Sequence, residues 1–521
     1  MTRLADLVAL SGKVAATASR REKIALLASI LRRLSPDEIE IGVAFLSGEM
    51  RQGRLGVGWG ALSEVRASAA AKASLELRAV DEALGRIAAT TGEGSAVKRE
   101  QRIGELFSRA TREERDFLTR LILGDVHQGA LEGVMQDAIA KAADLPAGGV
   151  RRAAMLAGGL AAVAKAALTE GAQGIARFSI RPLAPVQPML ATPADDLAAA
   201  LSELGEAAFE WKLDGARVQV HKSGGDVRVF TRNLNDVSEA VPELVEAVRA
   251  LPARELILDG EALALGADGA PQPFQVSMRR FGRRLDVDSL RRKLPLSAFY
   301  FDCLRRDADD LLDRPARERF EALADVLPSG LVIPRLVTSD RAAAEAFYAE
   351  ALARGHEGVM AKSLEAAYEA GRRGSAWLKV KRKHTLDLVV LAAEWGHGRR
   401  RGRLSNLHLG ARDPSTGGFV MLGKTFKGLT DAMLEWQTKA FLERETARDQ
   451  YTVYVRPEIV AEIAFDELQA SPQYPGGLAL RFARVKRYRP DKRAADAETI
   501  DAVRALYAAQ LRHRMPGAHD A

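Results

Sequence analysis

The stretch Glu210-Trp-Lys-Leu-Asp-Gly-Ala-Arg217 lies in the middle of the chain, at the end of one extended segment and the start of the next. Apolar and polar residues alternate over 216–221, and Ser223-Gly-Gly-Asp226 then leads into a second extended run at 227–231. Alternation with a period of two indicates a β-strand, and a Gly-Gly turn between two such runs indicates a hairpin. Lys212 therefore lies at a strand end, where its side chain can project into a cleft while Gly215 lets the chain turn tightly.

Lys212 taken alone would be interpreted as a solvated surface lysine. Further short motifs argue against that interpretation because they bring charged residues together with glycines and predicted strands along the same part of the chain. Four lie in the middle of the chain: Thr231-Arg-Asn233, Asp259-Gly-Glu261, Glu357-Gly-Val-Met-Ala-Lys362 and Trp377-Leu-Lys-Val-Lys381. Two more, Arg481-Phe-Ala-Arg484 and Arg489-Pro-Asp-Lys492, lie near the C-terminus.

The length of the chain, 521 residues, predicts several domains, since a domain has roughly 150 residues. Residues 1–180 have apolar residues at helical spacing and predict an all-α domain, with helices such as Glu113 to Leu123, Gly133 to Ala143 and Arg151 to Ala167. Prolines at 182, 185 and 188 indicate a linker. Residues 181–385 mix strands and helices and predict an α+β domain with antiparallel sheets.

Closely spaced strands from residue 386 onward predict a small β-barrel of the OB type over 386–510, followed by a short polar tail at 511–521. The predicted barrel has one helix, Asp431 to Glu443, and five strands: Leu386 to Ala393, Leu404 to Ala411, Gly418 to Leu422, Tyr451 to Val455 and Glu458 to Ala464. The predicted fold class is therefore multidomain: all-α, then α+β, then a β-barrel.

Two glycine-rich patterns imitate phosphate-binding loops. Gly418 to Thr425 matches the Walker A pattern by letter, but its variable positions have the character of a strand, and Gly428 interrupts the segment after it, where a helix would have to begin. Gly56 to Ala61 loosely resembles a dinucleotide fingerprint but lies in a helical region without a preceding strand. Neither is predicted to bind phosphate.

Composition excludes several classes of protein. Hydrophobic residues make up 47% and charged residues 28% of the chain, which is the balance of a folded globular protein. The single cysteine, Cys303, excludes a disulfide framework and a cysteine-ligated zinc site, so we expect a cytoplasmic protein. No apolar run is long enough to cross a bilayer. The net charge of +7 is modest, but arginines cluster at 279, 280, 283 and 284 and again at 399, 400, 401 and 403.

The six motifs and the motif of Lys212, in this order, resemble those of the covalent nucleotidyltransferase superfamily, most closely the ATP-dependent DNA ligases of the bacterial and archaeal three-domain type. The resemblance covers about residues 181 to 500. It implies an enzyme that seals nicks in duplex DNA, in repair, replication or recombination, through a lysyl-AMP intermediate and then a DNA-adenylate. The helical domain, including the stretch Gly124 to Ala143, looks like the DNA-binding domain of such ligases.

The resemblance also implies a role for each motif residue. Lys212 would be the catalytic nucleophile that attacks ATP. Glu210 would accept a hydrogen bond from the adenine amino group, and Phe301 would stack on the base, although Phe299 shares its strand face and the choice between them stays open. The remaining ATP-binding residues would be Arg217, Arg232, Glu261, Arg373, Lys379, Lys381, Arg487 and Lys492. The last two would orient the leaving pyrophosphate in the first step only, from a domain that moves.

The chemistry adds two expectations. An amine attacks phosphorus only when deprotonated, and a lysine with a pKa of about 10.4 is almost wholly protonated at neutral pH. We therefore expect the cations of Lys379, Lys381 and Arg217 to lower the pKa of Lys212. Phosphoryl transfer needs charge neutralisation more than acid–base catalysis, so Glu261 and Glu357 are expected to hold Mg²⁺.

The expected partner is nicked duplex DNA, held through its phosphates by the arginine clusters, and we expect a monomer that binds no membrane. NAD⁺ as the nucleotide donor is disfavoured because NAD⁺-dependent ligases carry a cysteine-ligated zinc element. Two alternatives remain: an RNA ligase or capping-type nucleotidyltransferase, which the N-terminal helical domain disfavours, and a non-catalytic DNA-binding scaffold, which the intact motif positions disfavour.

Overall fold

The computed structural model describes residues 1–53, 55–64, 68–126, 132–281, 286–369, 373–382, 384–397 and 400–514, without the side chains of residues 61, 63, 64, 373 and 511–514. Sequence predictions for Arg283, Arg284, Arg399, the loop at 127–131 and the tail from 515 onward therefore lie outside the described residues.

Helices make up most of the described part of residues 1–180. They are α1 (Leu4–Ala16), α2 (Arg20–Leu31), α3 (Ile39–Ser47), α4 (Trp59–Glu64), α5 (Leu77–Ala88), α6 (Ser95–Ser108), α7 (Arg112–Leu123), α8 (Glu132–Ala143), α9 (Ala147–Ala157) and α10 (Leu160–Ala176). The single helix predicted from Arg151 to Ala167 is wrong. Gly158 has a φ of 68° and ends α9, because a left-handed residue cannot continue a right-handed helix.

The helices enclose an apolar core in which Leu7, Phe45 and Phe117 are fully buried. The C-terminal part of α9 belongs to a different cluster, since Met155 and Leu156 pack with residues of the middle region such as Trp377. The helical region therefore shares apolar packing with the region that follows it.

Residues 181–385 contain strands interleaved with helices. They are β1 (Leu190–Pro193), α11 (Leu197–Leu204), β2 (Ala207–Trp211), β3 (Ala216–Ser223), β4 (Asp226–Thr231), α12 (Pro242–Arg249), β5 (Glu255–Ala264), α13 (Phe274–Phe281), α14 (Val287–Lys293), β6 (Leu296–Arg306), β7 (Asp309–Asp310), α15 (Ala316–Val326), β8 (Arg335–Thr338), α16 (Arg341–Ala353), β9 (Gly358–Ser363) and β10 (Arg373–Lys381). The strands form two five-stranded sheets, ordered β1-β10-β9-β2-β8 and β4-β3-β5-β6-β7. Their pairings are antiparallel apart from β1 with β10.

The segment 212–215 carries the chain from one sheet to the other, because β2 belongs to the first sheet and β3 to the second. Gly215 is required here, since a Cβ atom would lie 2.5 Å from the carbonyl oxygen of Ala262. Gly358 at the start of β9 is equally constrained, with a φ of +145° and only 2.3 Å between a Cβ atom and the carbonyl oxygen of Val380. This close packing places Lys212 between the sheets.

Residues 384–514 form the C-terminal region. Its elements are β11 (His384–Trp395), β12 (Leu404–Arg412), β13 (Phe419–Thr425), α17 (Asp431–Leu442), β14 (Glu445–Arg448), β15 (Thr452–Val455), β16 (Val460–Phe465), β17 (Glu467–Ala470), β18 (Leu478–Arg481), β19 (Arg484–Tyr488) and α18 (Ile500–Arg514). The five predicted strands are β11, β12, β13, β15 and β16. The prediction missed β14, β17, β18 and β19, which are only four or five residues long and carry little periodic signal.

The main C-terminal sheet is open within the described residues. It runs β13-β12-β11-β15-β14, with β16 pairing β11 and β19, and no ladder joins β13 to β19. The two approach each other, because the N–H of Val485 donates to the carbonyl of Lys427 at 3.0 Å. The predicted OB-type barrel is therefore not confirmed, because the described strands do not close into a barrel. The structure shows a multidomain protein with helices, antiparallel sheets and a C-terminal sheet region. Among the described helices, none has the length and apolar character needed to cross a membrane.

Candidate active site

A cleft of about 1970 Å³ lies between the sheets of the middle region. It brings together many of the residues predicted for the site: Glu210, Lys212, Arg217, Arg232, Glu261, Phe301, Glu357, Lys379 and Lys381. The C-terminal region contributes a further part of the lining: Lys427, Asp466, Arg481, Phe482 and Arg484. The sequence motifs thus converge on one cavity that two regions of the chain enclose.

Lys212 is held on both sides by backbone hydrogen bonds. Its N–H donates to the carbonyl of Gly358 at 2.8 Å, and its carbonyl accepts from the N–H of Glu357 at 3.1 Å. The ammonium group of Lys212 also forms an ion pair with the carboxylate of Glu357. The linker between β2 and β3 is therefore fixed against the start of β9.

The pKa of Lys212 is shifted in the direction opposite to the prediction. Burial alone lowers this pKa, but the carboxylate of Glu357, followed by those of Glu261 and Asp214, outweighs burial and raises it. The expectation that neighbouring cations lower the pKa of Lys212 is therefore wrong for this arrangement. The amine stays protonated unless the carboxylates are neutralised.

Two of the three cations expected to act on Lys212 have carboxylate partners of their own. Arg217 pairs with Asp259 at 2.6 Å, and Lys381 pairs with Asp466 of the C-terminal region. Paired cations exert little net positive potential on a neighbour, which explains why the carboxylates dominate around Lys212.

The carboxylates around Lys212 are themselves perturbed. Burial raises the pKa of Glu261 to about 7, and burial together with the carboxylate of Glu357 raises the pKa of Asp214 to about 6. Such crowded oxygen donors fit a hard divalent cation. Within the described ranges, no three Asp, Glu, His or Cys side chains converge to hold a metal by themselves.

At the other end of the cleft, Glu210 is almost fully buried between two cations. Lys362 approaches its Oε2 atom at 2.6 Å, and Nε of Arg335 donates to its Oε1 atom at 2.8 Å. Burial lowers the pKa of Lys362, although Glu210 opposes this effect. The structure thus presents a carboxylate acceptor and an ammonium donor side by side at the wall of the cleft.

Aromatic rings form the adjoining wall. The rings of Phe301 and Trp377 meet edge to face with centroids 5.8 Å apart. The ammonium nitrogen of Lys362 lies 4.3 Å from the centroid of Phe301 and 4.2 Å from that of Trp377. The cleft lining includes Phe301 and does not include Phe299, and contact of Phe301 with a base stays a prediction.

Arg217 makes contacts that differ from those expected. Its guanidinium binds Asp259 in a two-pronged pair, donates to the carbonyl of Met189 at 2.6 Å, and donates to the hydroxyl of Tyr368 at 3.2 Å. The Tyr368 hydroxyl in turn donates to Asp259 at 2.6 Å. These contacts tie β3, β5 and the segment before β10 together, and contact of Arg217 with ribose or phosphate stays a prediction.

Other predicted residues lie at the rim or away from the cleft. Arg232 is exposed and Lys379 is half-buried, and both line the cleft. Arg373 begins β10, but its side chain lies outside the described residues. Arg487 and Lys492 do not reach the cleft, because Arg487 pairs with Glu462 at 2.7 Å and Lys492 with Asp387 at 2.6 Å.

Arg481 and Phe482 reach the cleft from the C-terminal region. Nη1 of Arg481 donates to Asp214 at 3.3 Å, and its guanidinium lies 4.6 Å from the ring centroid of Phe274. Phe482 adopts a φ of 56°, which non-glycine residues rarely adopt, and is about half exposed. Strain of this kind marks a position that the surrounding structure constrains.

The predicted arginine clusters are only partly available for DNA. Arg280 is buried and binds Glu243 at 2.9 Å and the carbonyl of Leu294 at 2.7 Å, so its predicted phosphate contact is wrong. Arg279 and Arg401 are exposed. Arg403 pairs with Asp431 at 3.3 Å.

Sequence reasoning did not assign the buried partners of the predicted residues. Lys362 stood inside a quoted motif, and strand pairing between β2 and β9 could have placed it near Glu210. Arg335 comes from a short run with no motif, and only the pairing of β2 with β8 sets it opposite Glu210. Asp259 and Tyr368 meet Arg217 across two different segments, which no local pattern reveals.

Three family models match the chain: "DNA ligase N terminus" at residues 60–140, "ATP dependent DNA ligase domain" at 188–381 and "ATP dependent DNA ligase C terminal region" at 400–492. A probable DNA ligase of Anaeromyxobacter sp. (strain Fw109-5) is 63% identical over 511 residues, which cover 98% of each chain. A probable DNA ligase of Mycolicibacterium gilvum (strain PYR-GCK) is 57% identical, over 97% of this chain and 99% of its own. The solved structure Pmar-Lig_Pre shares the fold with a TM-score of 0.61 and 19% identity, over 93% of this chain and 99% of that one.

The three matched regions, two of which line the cleft, define a DNA ligase, an enzyme that forms phosphodiester bonds. The chain belongs to the ATP-dependent DNA ligase family.

Proposed function

We propose that the enzyme seals nicks in duplex DNA with Lys212 as the group that carries AMP. The observation that carries this proposal is the position of Lys212, fixed between two sheets, paired with Glu357 and in the same cleft as the aromatic wall of Phe301 and Trp377. In the first step, Nζ of Lys212 attacks the α-phosphorus of ATP; an N–P bond forms, and the bond to pyrophosphate breaks. AMP then passes to the 5′-phosphate at the nick, and the 3′-hydroxyl displaces it.

Glu261 and Glu357 would hold Mg²⁺ in this site. The bound ion would supply positive charge to the carboxylates and to the phosphate oxygens of ATP. Glu357 and Glu261 raise the pKa of Lys212 in the present arrangement, so engaging both carboxylates with the ion would leave burial opposed by fewer charges. Burial favours the neutral amine, which is the reactive form. Glu357 would thus couple deprotonation of Lys212 to the binding of Mg²⁺ and ATP in the site.

The base would bind at the opposite end of the cleft. Glu210 would accept from the adenine amino group and Phe301 would contact the base, while Arg217, Arg232, Arg373, Lys379 and Lys381 would serve the ribose and phosphates. Lys362 lies 2.6 Å from Glu210 and adds a donor beside this acceptor. Adenine presents an amino donor next to a ring-nitrogen acceptor, which matches this pair.

The C-terminal region would change its position between the steps. Arg487 and Lys492 are proposed to orient pyrophosphate in the first step, yet they now pair with Glu462 and Asp387. Arg481, in contrast, already contacts Asp214 at the cleft. The present arrangement therefore suits the later steps, after pyrophosphate has left.

The finer assignments belong to the same proposal. The helical region would be an all-α DNA-binding domain, and the C-terminal region would be an OB-type domain whose sheet is incompletely closed. Exposed arginines such as Arg279 and Arg401 would contact phosphates of the nicked duplex without reading sequence. We propose that the enzyme acts as a cytoplasmic monomer in DNA repair, replication or recombination.

A sealing assay tests the proposed function. Purified enzyme is incubated with ATP, Mg²⁺ and a duplex that carries a single nick with a 5′-phosphate, and the product strand is separated by length. We expect a full-length strand with ATP and none with NAD⁺. Sealing only of RNA strands, or binding of the nicked duplex without any sealing, would contradict the proposal.

A further inference from the structure

Arg335, at the start of β8, lies behind the base end of the cleft. Its Nε atom donates to Oε1 of Glu210 at 2.8 Å, and Nη2 donates to the backbone carbonyl of Phe301 at 2.9 Å. The side chain of Arg335 is 13% exposed and that of Glu210 is 1% exposed, so water screens the pair weakly. One guanidinium therefore joins the two residues that the proposed function assigns to the base.

The guanidinium of Arg335 is itself held in place. It lies 3.5 Å from the ring centroid of Phe320, a residue of α15. Arg335 also pairs with Glu210 across the β2–β8 ladder, which fixes the register of the two residues. A planar guanidinium that is stacked on a ring and hydrogen-bonded at two nitrogens has little freedom left to lose when a ligand binds.

Charge neutralisation alone does not account for Arg335. Lys362 already lies 2.6 Å from the other carboxylate oxygen of Glu210 and supplies a positive charge. Arg335 also fixes the spacing between two groups, since its rigid guanidinium binds the carboxylate of Glu210 and the carbonyl of Phe301, which belong to different sheets. The side chain does not itself line the described cleft, so it would act through Glu210 and Phe301.

We propose that Arg335 is a positioning residue that sets the preference of the nucleotide site for adenine. It holds the acceptor atoms of Glu210 in a fixed place relative to the ring of Phe301, so that a base in contact with the ring presents its amino group to the carboxylate. This inference rests on the proposed function, in which the site binds ATP.

The test compares ATP with purine riboside triphosphate, which lacks the 6-amino group. The measured quantity is kcat/KM for formation of the covalent AMP-type adduct, followed by mass spectrometry on enzyme that has been freed of nucleotide with pyrophosphate. In the wild-type enzyme we expect kcat/KM to be about 10- to 100-fold higher for ATP than for purine riboside triphosphate. This ratio corresponds to the free energy of one hydrogen bond to a charged group. No preference in the wild type would overturn the proposal.

In Arg335→Met we expect kcat/KM for ATP to fall by about 10- to 100-fold while that for purine riboside triphosphate changes by less than about threefold, because only ATP uses the hydrogen bond. Arg335→Lys keeps the charge but cannot reach both acceptors, so it should lose most of the preference as well. An equal fall for both nucleotides, or an unchanged preference in both variants, would show a merely structural role and overturn the proposal.

Arg305→Met is a matched control. Arg305 forms the same kind of arginine–glutamate pair with Glu255, at 2.9 Å and somewhat more exposed, away from the cleft. This variant should keep the preference for ATP even if its thermal stability falls as far as that of Arg335→Met. The proposed function has a separate failure signature, since a wild-type enzyme that forms no adduct with either nucleotide would overturn that function, and this inference with it.

Discussion

The base end of the cleft and the C-terminal basic motif use the same contact, a cation paired with a carboxylate, in opposite ways. In the cleft, Lys362 and its partner Glu210 are each 1% exposed, and the pair presents both groups to the cavity. In the C-terminal region, Arg487 is 65% exposed and its pair with Glu462 holds it away from the cavity. Exposed pairs contribute roughly 0–1 kcal/mol, so the second kind can exchange partners readily while the first kind cannot.

Under the proposed function, this difference separates a prebuilt part of the site from a part that the C-terminal region must bring to it. At one end of the cleft the carboxylate, the ammonium group and the rings are in place, whereas Lys492 pairs with Asp387. The proposed function requires the C-terminal region to move before Lys492 can act in the cleft. An enzyme that uses one cavity for successive reactions benefits from having some residues fixed in the cavity and others on a region that moves. The residues that assist pyrophosphate release are not needed after the first step.

The largest effect is expected for Lys212→Ala. The proposed function places the N–P bond on Lys212, so adduct formation and sealing with ATP should fall at least about 1000-fold. Mass spectrometry after incubation with ATP and Mg²⁺ measures the first, and the nicked duplex measures the second. An adduct that persists in this variant would place the nucleophile elsewhere.

Glu261→Gln should have the next largest effect. The amide keeps the shape but loses the charge that a divalent cation needs, so adduct formation at millimolar Mg²⁺ should fall by about 100-fold. Glu255→Gln is the control on the same strand, because Glu255 pairs with Arg305 outside the cleft. This substitution should leave the rate of adduct formation within about twofold of the wild-type rate. Equal effects of the two substitutions would remove Glu261 from the metal site.

Lys492→Ala tests the proposed role of the C-terminal basic motif in the first step. We expect adduct formation to fall by about 10- to 100-fold, as for loss of one hydrogen bond between charged groups, while sealing of a nick that already carries AMP stays within about twofold. The comparison of the two rates in one preparation is its own control. A parallel fall in both would mean that Lys492 acts throughout the reaction or only supports the fold.

The pH dependence gives the smallest effect. The pKa of Glu261 is raised to about 7, so this carboxyl is protonated below pH 7 and loses its capacity to bind a cation as the pH falls. The Mg²⁺ concentration that gives half the maximal rate of adduct formation should rise up to about tenfold per pH unit below 7. Glu261→Gln should lack this dependence, and a dependence that persists in the variant would assign it to another group.

Local patterns predicted the order of helical, mixed and strand-rich stretches along the chain, and several of the predicted site residues line the cleft. Strand alternation placed the hairpin after Lys212, and glycines at 215 and 358 are required where strands pack closely. The left-handed Gly158, which divides α9 from α10, escaped prediction because an Ala-rich helical pattern continues across it. The open C-terminal sheet escaped because barrel closure depends on which distant strands pair, as β16 and β19 do.

Electrostatics could not be predicted from motif composition. The motifs contain both lysines and glutamates, and counting cations suggested a lowered pKa for Lys212. The structure reverses this, because Arg217 and Lys381 have carboxylate partners from other segments while Glu357 pairs with Lys212 itself. The sign of a pKa shift depends on which charges remain unpaired nearby, and pairing is a property of the folded chain.

The most direct test of the lysyl-AMP mechanism is to locate the covalent intermediate. Nucleotide-free enzyme is incubated with ATP and Mg²⁺, digested, and mapped by mass spectrometry before and after addition of nicked duplex. We expect one AMP on the peptide that contains Lys212, and its loss when sealed DNA appears. AMP on a different residue, or sealed DNA without any loss of the adduct, would contradict the mechanism.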